Sequence, residues 1–170
     1  ISQSGSKILT INGGTLSITN TYQEPSGGIV LNNATINGNS GGSIAAQGIG
    51  WSATGNNTIN HQVSLENAKT NSWIFNIQSG TTTINSNIIT QVSRFIGLTK
   101  NGSGTLVLNG NNTAGTTSNA TTLNAGTLVL NNNNAIGNTT FTINGGAIDN
   151  TIGSTITLTN NNTQSWNGDF

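Results

Sequence analysis

Four carboxylates, one histidine and three tryptophans are the side chains of this 170-residue chain best suited to chemistry. The acids are Glu24, Glu66, Asp149 and Asp169, all far apart in sequence. Asp149 and Asp169 stand 20 positions apart and could meet only if the chain coils with that period. Two carboxylates brought together could hydrolyse a glycosidic bond. Stacked carboxylates more often decorate a surface, and a calcium-assisted lyase needs more acids and a nearby base than this chain supplies. His61 is the only histidine. A zinc site takes three or four ligands, and no serine nucleophile has a base and an orienting acid nearby in sequence. His61 is therefore expected to be solvated or at the edge of the core. Trp51, between Gly50 and Ser52, is the candidate for an exposed ring that stacks on a sugar. Trp73 alternates with Phe75 and Ile77 and is expected in the core with them. The catalytic, cofactor and metal sites expected from this inventory are none, which describes a non-enzymatic protein.

Composition narrows the class further. Charged residues make up 5% of the chain, hydrophobic residues 32%, and the formal net charge is zero. Ordinary soluble domains carry roughly 25% charge, so polarity here comes from Asn, Thr, Ser and 23 glycines. Disorder is a poor account of that composition, because β-branched residues are frequent and regularly placed. With Cys 0, disulfides and thiolate metal sites are excluded. Nucleic acid is not an expected partner, since phosphate neutralisation needs clustered Lys and Arg. No run of about 18 apolar residues predicts a membrane helix. The first residues lack the charged and apolar regions of an export signal, so any such signal is expected upstream of Ile1.

The elements that must position these residues announce themselves as repeats. An aliphatic residue, a polar bend with glycine, then a small and an aliphatic residue recur. The pattern reads Ile11-Asn12-Gly13-Gly14-Thr15-Leu16, Ile77-Gln78-Ser79-Gly80-Thr81, Gly104-Thr105-Leu106-Val107-Leu108, Leu123-Asn124-Ala125-Gly126-Thr127-Leu128-Val129-Leu130 and Ile143-Asn144-Gly145-Gly146-Ala147-Ile148. Taken as turn glycines, Gly80, Gly104, Gly126 and Gly146 are spaced by 24, 22 and 20 residues, and Gly14 to Gly80 divides into three turns of 22. That period belongs to solenoids. Leucine-rich repeats share it but need a richer Leu signature, and no helical stripe occurs. The segments alternate with period two instead, which points Leu106, Leu108, Leu128 and Leu130 to one face.

The expectation is all-β: a right-handed parallel β-helix of roughly seven or eight turns of 20–24 residues. Each turn would hold two or three short strands, pairing with its neighbours about 4.8 Å away. Leu106, Leu128 and Ile148 should form one internal ladder, Leu108 and Leu130 its companion, and Leu123 and Ile143 part of a second. Asn runs after Leu108 and Leu130 should be bends or stacked asparagine ladders. One turn alone cannot bury its apolar face, so stability should be shared between neighbours.

The third and fourth repeats also resemble a known family. Gly97, Leu98, Lys100, Gly102, Gly104, Thr105, Leu106, Leu108, Gly110, Asn112 and Thr113, followed by Asn124, Gly126, Thr127, Leu128, Leu130, Ala135, Ile136 and Gly137, fit one register. Residues 97–138 look like the autotransporter-associated β-strand repeat of Gram-negative type V secreted proteins. Ala114 replaces that family's aromatic, so the bend at 114–122 is expected to be looser. The resemblance implies that residues 1–170 are one β-helical segment of a larger secreted or surface-displayed passenger. Its role would be structural: assisting folding and presentation beyond an outer-membrane translocator, with adhesion or fibre formation as extensions. Partners would be adjacent rungs, other copies end to end, or surface glycans; a glycan-binding module is the alternative reading. No charged or helical cap marks either end, so further rungs are expected to follow in the parent protein, and head-to-tail polymers if the chain occurs alone. A rank of ice-binding threonines, from Thr81 to Thr83 or at Thr155, Thr157 and Thr159, is a minor alternative.

Overall fold

The computed structural model describes residues 7–19, 25–39, 41–65, 73–89, 97–112 and 119–169. The chain is an all-β parallel solenoid, and no helix occurs among the described residues. In chain order the strands are β1 (Ile8–Asn12), β2 (Thr15–Ile18), β3 (Gly28–Asn32), β4 (Thr35–Gly38), β5 (Trp51–Thr54), β6 (Asn57–Ile59), β7 (Val63–Ser64), β8 (Ile74–Ile77), β9 (Thr81–Ile84), β10 (Ile88–Ile89), β11 (Thr99–Asn101), β12 (Thr105–Leu108), β13 (Ala120–Leu123), β14 (Thr127–Leu130), β15 (Thr140–Ile143), β16 (Ala147–Asp149) and β17 (Gln164–Trp166).

Strands one turn apart stack in parallel. The first sheet runs β1-β3-β5-β8-β11-β13-β15-β17, and the second runs β2-β4-β6-β9-β12-β14-β16. A short third side pairs β7 with β10 in the middle of the rod, so both two-sided and three-sided turns occur. At about 4.8 Å per strand the eight-stranded sheet is roughly 34 Å long.

Register puts like side chains over like. Leu106 pairs with Leu128 and Leu128 with Ile148; Leu108 pairs with Leu130, and Leu123 with Ile143. Alternation sends these inward, and β9, β12, β13 and β15 all show the half-buried, buried repeat of a one-sided strand. The aliphatic columns merge into one continuous core from Ile18 to Ile143.

Two expectations about spacing need correction. About six turns carry both sheets, slightly fewer than the seven or eight expected: the seven strands of the second sheet are six steps apart, and the first sheet adds one strand more. Turn length is unequal: hydrogen-bonded asparagines one turn apart are separated by 23, 25, 24, 22 and 20 residues along the rod. The longest turns are those that carry the third side. For the same reason Gly14 does not share the Gly80 column. Thr15 registers through Thr35 and Thr58 to Thr83, which sets Gly14 level with Thr82.

The other turn glycines do form a column at the bend between the sheets. The amides of Thr105, Thr127 and Ala147 donate to the carbonyls of Gly80, Gly104 and Gly126 at 2.8, 3.2 and 2.8 Å. Gly126 needs its φ of +72°. Gly104 has ordinary φ and is needed for space, since a Cβ there would lie 2.8 Å from the Gly80 oxygen. Of the bend expected to be looser at 114–122, residues 114–118 lie outside the described residues, and from Ala120 the chain is already in β13.

Candidate functional site

The register gathers three of the side chains with chemical potential on one column. That inward column of the first sheet reads Leu9, Ile29, Trp51, Phe75, Lys100, Leu123, Ile143, Trp166. It holds two of the three tryptophans and a lysine, and position along the rod decides what each residue does.

Trp51 is 1% exposed, and its ring stacks on Phe75 at 5.4 Å between centroids and 9° between planes. The expected sugar contact at Trp51 is therefore corrected. Its glycine neighbour ends the preceding bend, with Gly50 at φ +73°, and Trp51 opens a strand whose alternation turns it inward. Trp73 is half-buried against the core beside Phe75 and Ile77. Trp166 is the exposed tryptophan at 65%. It belongs to the same inward column as Trp51, with its indole N–H donating to Gln164 Oε1 at 3.0 Å.

Lys100 is fully buried in that column. Its ammonium donates to the carbonyls of Asn101, Gly102 and Ala125 at 2.8, 2.7 and 3.0 Å. Those carbonyls come from two successive bends, so one side chain ties adjacent turns together. Three acceptors use all three ammonium hydrogens. Burial nevertheless pushes its pKa down to about 8. A Cβ on Gly126 would lie 2.8 Å from the ammonium nitrogen, so that glycine also makes room for it.

His61 is 1% exposed rather than solvated or at the core edge, which corrects that expectation. Its ring lies against the Cα of Gly38, where any Cβ would collide with Nδ1. Neither ring nitrogen has a hydrogen-bond partner among the described residues. Burial lowers its pKa, because the imidazolium would be stranded away from water.

The two described carboxylates lie on different elements. Asp149 is exposed on β16, and the Asp169 backbone lies beside Gly145 in the bend before that strand. Glu24 and Glu66 lie outside the described residues. No group of three or more His, Cys, Asp or Glu side chains occurs among the described residues. A cavity of about 10 Å³, room for one water, is lined by Leu98, Leu108, Asn112, Thr121 and Ile136 among others.

Outside the core, asparagine does the connecting. Asn60 donates to Asn37, Asn85 to Asn60, Asn109 to Asn85 and Asn131 to Asn109, at 2.6–2.8 Å. A second ladder links Asn101, Asn124, Asn144 and Asn167 at 2.7–3.0 Å. Each amide offers both a donor and an acceptor, so identical side chains at a strand spacing satisfy one another along the rod. Two asparagines work inside: Asn57 accepts from the Ala34 amide, and Asn112 accepts from the Ile88 amide and donates to the Ala135 carbonyl. Thr155, Thr157 and Thr159 are exposed but lie in no strand, so they form no flat rank. Thr81 and Thr83 do face outward from β9, but Thr83 registers with Val107, which breaks its threonine column there.

Exposure rises towards the first and last described strands. Ile8 is 51% exposed and Leu9, Ile11 and Leu16 are half-buried, and in the last turns Ile148 and Leu158 are half-buried against the core. Searches against protein-family models, curated proteins and solved structures find no match to this chain.

Proposed function

We propose that this chain is a non-catalytic stalk segment of a secreted or surface-displayed protein, resembling the autotransporter-associated repeat of Gram-negative bacteria. One observation carries the reading. The residues that make the resemblance are spent on building the rod: Lys100 ties successive bends, Gly104 and Gly126 allow their close approach, and Leu106, Leu108, Leu128 and Leu130 fill the core. A surface of stacked neutral amides suits export as an unfolded chain, because it carries few charges to hold back and folds by adding one turn to the last. The role is to extend and present neighbouring parts of the passenger at the cell surface.

The test is export. The chain is placed between a secretion signal and an outer-membrane translocator barrel, then probed on intact cells with an external protease. Wild type should reach the surface and resist digestion. Leu106→Asn, which puts an unpaired amide into the core, should reach it in smaller amount and be digested. Equal surface display and resistance for both would sink the stalk reading. Cleavage of any member of a glycan panel by the purified chain would contradict its non-catalytic part.

A further inference from the structure

We infer that Lys100 and Gly110 set the order in which the turns stack, by keeping the turn of β13 and β14 out of the place that the turn of β11 and β12 holds on β8 and β9. The ambiguity they resolve is written in the sequence. Residues 104–109 and 126–131 are the same six residues, Gly-Thr-Leu-Val-Leu-Asn. The hydrophobic pattern sets strand register, and identical strands offer identical patterns. The choice is made within the chain, so this inference and the stalk reading can fail separately.

With β12 skipped, β14 would meet β9 with nearly every contact preserved. Leu106 and Leu108 stand over Thr82 and Ile84, and Leu128 and Leu130 would stand there instead. Asn131 would make the bond that Asn109 makes to Asn85. Asn134 would accept from the Ile88 amide in place of Asn112. In the first sheet Thr121 would replace Leu98, and it brings its bond to the Thr139 hydroxyl with it.

Two positions are not interchangeable. Lys100 stands over Phe75, and its counterpart one turn on is Leu123. The skipped order gives up the bonds from the Lys100 ammonium to the carbonyls of Asn101, Gly102 and Ala125. The last of these belongs to the next turn, so that bond exists only when the two turns stack in chain order. A buried polar group that fixes register in this way is the best-attested use of such groups. Gly110 is the second position. It lies two residues beyond Leu108, as Asn132 lies two beyond Leu130, its partner in register. A Cβ on Gly110 would run into the Ser86 carbonyl, so Asn132 does not fit where Gly110 sits. Lys100 favours the correct order, and the bulk of Asn132 opposes the wrong one.

The test reads which strand lies beside β9 by disulfide trapping in a chain that has no cysteine of its own. Thr81 faces Thr105, and Thr105 faces Thr127. Facing Cα atoms on adjacent strands are about 4.8 Å apart, within disulfide reach, and those two strands apart are about 9.6 Å apart, beyond it. Three cysteine pairs are refolded under mild oxidation: Thr81→Cys with Thr105→Cys, Thr81→Cys with Thr127→Cys, and Thr127→Cys with Ala147→Cys. The third pair reports folding, because β14 pairs with β16 in either order. In the otherwise native chain the first and third bonds should form and the second should stay at background. Lys100→Leu, which copies Leu123, is then combined with Asn132→Gly, which copies Gly110. That background should raise the second bond to a yield comparable with the first and leave the third unchanged. Lys100→Leu alone should raise it less. A second bond still at background in the combined variant overturns the inference, and so does one already abundant in the native background. Loss of the third bond in Lys100→Leu overturns it too, because the lysine would then hold the fold as a whole and not the order of its turns.

Discussion

Trp51 and Trp166 occupy the same column of the same sheet, and one is 1% exposed while the other is 65% exposed. Both point inward from short strands with glycine nearby. The difference lies in what stands above and below. Trp51 has strand neighbours on both sides, Ile29 and Phe75, whereas among the described strands Trp166 pairs with Ile143 alone. Order in this molecule is thus conferred by neighbouring turns more than by local sequence. The middle of the rod is a protein interior, and burial thins towards the first and last described strands.

The sharpest way to break that comparison is to truncate both rings. Trp51→Ala should cost about 3–5 kcal/mol, the usual penalty for emptying a large buried site. Trp166→Ala should stay within about 0.5 kcal/mol, as for exposed positions. Urea denaturation of dilute protein measures both, and similar losses would erase the distinction between middle and end.

Next in size is Lys100. Lys100→Met keeps the apolar stem but leaves three part-buried carbonyls without their donor, and should cost about 2–3 kcal/mol. Its pKa adds a signature. The folded value, about 8, lies below that of the unfolded chain, so the unfolded state holds the proton more tightly. Stability should therefore rise between about pH 8 and the ordinary lysine range, be fully gained above that range, and be lost again as pH falls through about 8. Denaturation across that window should show the rise in wild type and not in Lys100→Met.

A smaller effect of the same sign belongs to His61. Its folded pKa is lowered by burial, so stability should fall as pH drops below 6.5, the ordinary histidine value. His61→Leu fills the space with a side chain that needs no partner and should flatten that acid limb in a thermal melt series. An unchanged acid limb would assign it to other groups.

The smallest contrast is between asparagines. Asn85→Ala breaks a ladder with a partner on each side and should cost about 1 kcal/mol. Asn167→Ala removes the last member of the other ladder and should cost about half as much or less. Equal losses would mean that the ladders act locally and not along the rod.

Much of this architecture is legible in the sequence, and the departures from it have distinct physical causes. Period-two alternation in β12 and β14 and their 22-residue offset were enough to place Leu106 over Leu128, because both signals come from backbone geometry. The same alternation was available for Ile59, His61 and Val63, all of which turn inward, but a titratable ring was read as belonging to water. Trp51 was read from its flanking glycine and serine, although Ala53 two residues on and Phe75 one turn on marked an inward column. Lys100 stood in the resemblance without a role, since no local pattern tells that a lysine will find three carbonyls in two bends. Spacing failed where turns lengthen. Equal division by 22 cannot detect a third side that adds residues to the middle turns, and Gly14 was misaligned for that reason. For His61 and Trp51 alternation carries more information than residue type, whereas for Gly14 the period itself is uneven.

Amide hydrogen exchange, resolved residue by residue on dilute protein, tests the central claim most directly. The account predicts the slowest exchange in β5, β8, β9 and β12, with protection declining turn by turn towards β1 and β17. Protection that is uniform along the rod, or greatest in the end turns, would contradict the claim that each turn is held in place by its neighbours.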